Sequence, residues 1–126
     1  MKDFKKILYI EDDLDIQMVA SMTLEKIGGF EVTAFSSGHA ALENLGDFCP
    51  DILLLDVRMP EMDGPSTLKA LRENFDYLSD VPVVFMTAKV QPDEIKFLQS
   101  LGAKGVIKKP FDPITLSDEL LKIVKS

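Results

Sequence analysis

The chain has 126 residues, 14 basic against 21 acidic side chains for a formal net charge of −7, and 46% hydrophobic against 28% charged residues. This balance fits one globular domain over residues 1–126 and excludes a disordered or collagen-like chain. The longest apolar runs, Ile52–Leu55 and Val83–Met86, fall far short of the roughly 20 residues of a membrane span; no leader-like segment opens the chain, and an acidic chain without a Lys/Arg run is a poor nucleic-acid binder.

Ile7-Leu8-Tyr9-Ile10 reads as a short buried strand. A helix follows, with Ile16, Val19, Ala20, Thr23, Leu24 and Ile27 as its expected inner face, Asp13 or Asp15 as its cap, and Gly28-Gly29 as its stop. A second strand over Glu31–Phe35 leads through Ser36-Ser37-Gly38 to a short helix carrying Ala40, Ala41 and Leu45. The third strand is Ile52–Leu55; after Asp56, a long turn holding Pro60 and Gly64 leads to a helix with Leu68, Leu71 and Phe75. Val83–Met86 forms the fourth strand, and the next helix, marked by Ile95, Leu98 and Leu101, is closed by Gly102. Val106–Lys108 makes a brief fifth strand, and Asp112 with Pro113 opens a last helix through Leu116, Leu120, Leu121 and Val124.

Strands apolar on both faces, each followed by a helix, predict a doubly wound α/β domain: a five-stranded parallel sheet with helices on both sides. Cys49 is the single cysteine, so no intrachain disulfide is expected, which suits a reducing, cytoplasmic setting.

In such sheets ligands bind beyond the carboxyl ends of the strands. The residues at those ends are Glu11, Asp12 and Asp13 after the first strand, Asp56 after the third, Thr87 after the fourth and Lys109 after the fifth. Each alone is an ordinary cap or surface residue; together, four segments deliver polar groups to one rim. Crowded carboxylates call for a cation, and an all-oxygen donor set suits Mg²⁺. Zinc is not expected, because Cys49 and His39 have no ligand partners at usable spacing, and His39 reads as an exposed histidine. A carboxylate beside Mg²⁺ can attack a phosphoryl group, with Lys109 and Thr87 stabilising its oxygens.

The chain resembles the receiver domain of two-component response regulators. The resemblance is carried by Glu11-Asp12, by the run from Asp56 through Met59-Pro60 to Met62-Asp63-Gly64, by Thr87-Ala88 and by Lys109-Pro110-Phe111. It implies a flavodoxin-like sheet of strand order 2-1-3-4-5. Asp56 would be the phosphoacceptor, with Mg²⁺ held by Asp12, Asp56 and the backbone carbonyl of Arg58, and by Glu11 through water. Thr87 and Lys109 would contact phosphoryl oxygens, and the Lys109–Pro110 bond would be cis. Lys109 is favoured over Lys108 because it directly precedes the proline.

The resemblance further implies a histidine kinase or histidine phosphotransfer protein as donor and a downstream protein or output domain as target, reached through the fourth helix, fifth strand and fifth helix. Such a domain promotes only its own phosphorylation and dephosphorylation and is not an enzyme in the turnover sense. Three residues before the lysine the family commonly has an aromatic switch residue, and this chain has Val106. Arg58 and Lys89, two residues after Asp56 and Thr87, are candidate cations for slowing phosphate loss. Met1 and the lack of an output segment favour a single-domain regulator. The competing readings are an adaptor of the same fold that works without phosphorylation, a Mg²⁺-dependent phosphatase with Asp56 as nucleophile, and a flavin-binding domain. Arg58 in place of a second aspartate argues against the phosphatase, and the acidic first loop against the flavin.

Overall fold

The computed structural model describes residues 3–126, so Met1 lies outside the described residues. Strands and helices alternate: β1 (Lys6–Ile10), α1 (Leu14–Lys26), β2 (Glu31–Phe35), α2 (Gly38–Asn44), β3 (Ile52–Asp56), α3 (Gly64–Asn74), β4 (Val83–Thr87), α4 (Pro92–Ser100), β5 (Ala103–Lys108) and α5 (Leu116–Lys125). All strand pairings are parallel, and the order is β2-β1-β3-β4-β5.

Successive side chains of a strand point to opposite faces, so each central strand feeds two cores. Leu8, Ile10, Leu53, Leu55, Val83 and Phe85 pack with Ala41, Leu68, Leu71 and Leu98 beneath α2, α3 and α4. Ile7, Tyr9, Ile52, Leu54, Val84 and Met86 pack with Ala20, Leu24, Leu116, Leu120 and Val124 beneath α1 and α5. Each fully buried Val, Leu, Ile, Phe or Met side chain among them contributes about 1.5–3 kcal/mol relative to remaining exposed. β3 and β4 are buried along their whole length, whereas the edge strands β2 and β5 are only half-buried.

Three helix starts follow local chemistry. Asp13 accepts the Asp15 and Ile16 amides, Ser37 accepts the Ala40 amide and Asp63 accepts the Ser66 amide, each satisfying donors left unpaired in a first turn.

The structure departs from the expected elements in four places. Val19 and Ile27 are exposed rather than inward-facing, and α1 buries Ala20, Thr23 and Leu24 alone. Phe75 is the residue after α3, with extended backbone, and a short 3₁₀ turn at Asp76–Leu78 follows it. β5 begins at Ala103, and its register against β4 slips between Val83 and Val84. The last helix starts at Leu116, because Asp112 and Pro113 form a separate turn in which the Asp112 side chain accepts the Ile114 amide.

Candidate functional site

β1 and β3 are neighbours in register, Tyr9 opposite Leu54 and Ile10 opposite Leu55, so the residues just past them leave the sheet side by side. Glu11 remains tied to the sheet through its amide, which donates to the Phe35 carbonyl at 3.1 Å, and the Gln17 amide group donates to the Glu11 carbonyl at 3.0 Å. Glu11, Asp12 and Asp56 each present a carboxylate oxygen within 4.8 Å of one another. Glu11 and Asp56 are buried and Asp12 is exposed, so the cluster is open on one side.

Lys109 reaches this cluster from the far side of the sheet. Its ammonium donates to Glu11 Oε1 at 2.9 Å and to Asp56 Oδ1 at 3.1 Å. Its backbone is anchored by the Lys109 amide, which donates to the Thr87 carbonyl at 2.9 Å. The Lys109–Pro110 peptide bond is cis. Lys108 is exposed on β5 and makes no such contact. Thr87 is buried beside Met86, the register partner of Asp56. Its hydroxyl oxygen accepts the Lys89 amide at 3.1 Å, which leaves the hydroxyl proton available to another acceptor.

The loop between Asp56 and α3 is drawn tight. The Val57 amide donates to the Met86 carbonyl at 2.9 Å, and the Gly64 amide donates back to the Val57 carbonyl at 2.8 Å. A side chain at Gly64 would collide with the Asp56 carbonyl oxygen, so glycine lets the first turn of α3 press against the end of β3. Glu61 has φ of 67°, at the centre of a turn closed by the Met62 amide on the Pro60 carbonyl at 2.7 Å. This left-handed conformation is strained for a residue with a side chain.

Burial pushes the Glu11 carboxyl up to about 7; its hydrogen bond with Asp56 adds to the rise and Lys109 opposes it. Burial also raises Asp56, partly offset by hydrogen bonds with Glu11 and Lys109. At Lys109 burial works against the charge, but the bonds to Glu11 and Asp56 outweigh it and the ammonium is held above its ordinary range. Fully ionised, three carboxylates against one ammonium leave two uncompensated negative charges. An oxygen-only donor set with that deficit fits a hard divalent cation such as Mg²⁺.

Arg58 and Lys89 differ from Lys109. The Arg58 side chain extends away to α4, where its guanidinium meets Glu94 Oε1 at 3.3 Å. Lys89 is exposed. Val106 is half-buried against the core beneath α2–α4, and His39 is exposed on α2. Glu94 and Gln17 were not expected from sequence. Gln17 lies six residues from its partner and Glu94 thirty-six from Arg58, and neither separation leaves a periodic signal.

Residues 7–121 match a family profile described as the response regulator receiver domain. The transcriptional regulatory protein CseB of Streptomyces coelicolor is 33% identical over 125 residues, covering 99% of this chain and 51% of that protein. The regulatory protein AtoC of Escherichia coli is 35% identical over 125 residues, covering 99% of this chain and 25% of that protein. The chain thus spans about half or less of the length of these curated relatives. Among solved structures, the chemotaxis protein CheY4 of Vibrio cholerae superposes with a TM-score of 0.86 at 30% identity, covering 96% of this chain and 99% of that one.

Proposed function

Since the chain belongs to the response regulator receiver domain family, we propose that Asp56 accepts a phosphoryl group from a phosphohistidine of a histidine kinase or histidine phosphotransfer protein. The observation that supports this most is the buried Asp56 carboxylate, gripped through Oδ1 by Lys109 at 3.1 Å and flanked by Glu11 and Asp12. A carboxylate oxygen attacks phosphorus; the new O–P bond forms as the N–P bond to histidine breaks, and the bonding pair leaves with the imidazole nitrogen.

Mg²⁺, held by Asp12, Asp56 and the Arg58 carbonyl, with Glu11 through water, would supply charge neutralisation on the phosphoryl oxygens. Lys109 orients the acceptor and offers its ammonium to the incoming group. Thr87 donates its hydroxyl proton to a phosphoryl oxygen while its own oxygen stays anchored by the Lys89 amide. The side chains of Leu14, Met18 and Met22, four residues apart and exposed along α1, form an apolar row that begins next to the site and suits a docking donor protein.

The acyl phosphate then shifts the population of two surface states across α4, β5 and α5, read by a downstream protein or output domain. On this reading the chain works in the cytoplasm, where kinase donors are charged. It catalyses only its own phosphorylation and dephosphorylation and is not a turnover enzyme.

Incubation with Mg²⁺ and acetyl phosphate, followed by intact mass measurement, tests the assignment. The parent chain should gain one phosphoryl group and Asp56→Asn none. Equal labelling of the two, or labelling of neither, would overturn it.

A further inference from the structure

Glu94 is the third residue of α4, a position from which a carboxylate commonly bonds back to its own helix start. α4 lacks such local closure: its N-cap, Gln91, makes no side-chain cap, whereas α1, α2 and α3 are capped by Asp13, Ser37 and Asp63. Glu94 instead faces Arg58 at 3.3 Å, so the first turn of α4 is fastened from outside, to the loop that leaves Asp56. With the Arg58 side chain 60% and the Glu94 side chain 20% exposed, solvent weakens the pair and a stronger anion can break it.

We propose that Arg58–Glu94 is a phosphorylation-sensitive tether, in which a phosphoryl group on Asp56 competes with Glu94 for the Arg58 guanidinium and releases the first turn of α4. The inference rests on Asp56 being the phosphoacceptor. Phosphorylation replaces one carboxylate charge by roughly 1.5–2 negative charges. The phosphoryl oxygens also match the fork of a guanidinium two residues along the chain. Arg58 therefore interacts differently with the two states of Asp56, and that difference is what allows phosphorylation to bias α4.

Hydrogen exchange of the α4 amides from Ile95 to Leu98 tests the tether, on samples whose phosphoryl load is read by intact mass. Without phosphodonor, Glu94→Gln should exchange these amides roughly 1.5–5 times faster than the parent, the range expected for losing an exposed ion pair. Phosphorylation should raise exchange in the parent to a similar level and add nothing in Glu94→Gln. Lys96→Gln, which removes another charge of α4, should keep the parental response. If the adduct forms and α4 exchange is unchanged, or if Glu94→Gln behaves as the parent, the tether is overturned alone. If no adduct forms, the phosphoacceptor reading falls and takes the tether with it.

Discussion

Adding one methyl group at Gly64 should disturb the site through the backbone alone. A Cβ there would lie 2.4 Å from the Asp56 carbonyl oxygen and 3.0 Å from the Val57 Cα. A comfortable carbon–oxygen contact is roughly 3.3 Å or more, so about 1 Å must open between α3 and the end of β3. Both obstructing atoms are main chain, and Asp56 belongs to a fully buried strand, so no side chain can swing aside. Overpacking of this kind costs about 1–3 kcal/mol. Weakening the 2.8 Å bond from the Gly64 amide to the Val57 carbonyl adds about 0.5–1.5 kcal/mol, and the smaller freedom of alanine in the unfolded chain returns about 0.4–1 kcal/mol. The net loss is about 2 kcal/mol, tolerable for a domain stable by about 5–15 kcal/mol. With a urea slope of about 1–3 kcal/mol per molar, the unfolding midpoint of Gly64→Ala should fall by about 1 M at unchanged slope. Acetyl phosphate labelling of the folded variant should also slow, because the displaced atom is the carbonyl of Asp56 itself. Gly29→Ala is the companion variant: φ is +71° and nothing lies within 4 Å, so it should lose only about 1 kcal/mol and label normally. A Gly64→Ala midpoint indistinguishable from the parent would refute the reasoning.

Two further outcomes are expected. Glu61→Gly should raise the urea midpoint by an amount equivalent to at most about 1 kcal/mol, because relief of the left-handed strain exceeds the added unfolded-chain freedom; a lowered midpoint would show that the turn is not strained. With divalent ions chelated, the contribution of Glu11 to stability should be fully present below the ordinary carboxylate range and be lost as pH rises through about 7, by up to about 1.4 kcal/mol per pH unit. The folded state keeps on Glu11 a proton that the unfolded chain has already released. Urea midpoints measured across this window should flatten in Glu11→Gln, and an equally steep loss in that variant would contradict the assignment.

The alternation of strands and helices was legible because the central strands are apolar on both faces and each run of Ile, Val, Leu or Phe ends at a polar residue. Legibility failed where apolar residues did not define a single side. On α1 the expected inner face holds at Ala20, Thr23 and Leu24 but is too wide, since Val19 and Ile27 stay exposed and a period of about 3.6 residues does not fix how broad a stripe the sheet covers. Ala103-Lys104-Gly105 carries no apolar run, and the first half of β5 is held by ladder bonds and a register slip that no pattern signals. At the site, Glu11, Asp12, Asp56, Thr87 and Lys109 could be placed on one rim because strand ends of a parallel sheet share a side. The direction of Arg58 could not be read, since it depends on a partner in another helix.

The two margins of the sheet bear on how the protein behaves when crowded. An unpaired strand is a template onto which another chain can zip, and short, charged or irregular edges discourage this. β2 is five residues long and opens on Glu31, while β5 carries Lys104 at its register slip and Lys108 at its end. Neither rim presents a flat apolar ribbon, so fibre growth by strand addition has no ready seed on the native fold, and a concentrated solution of the folded chain should stay colloidally stable.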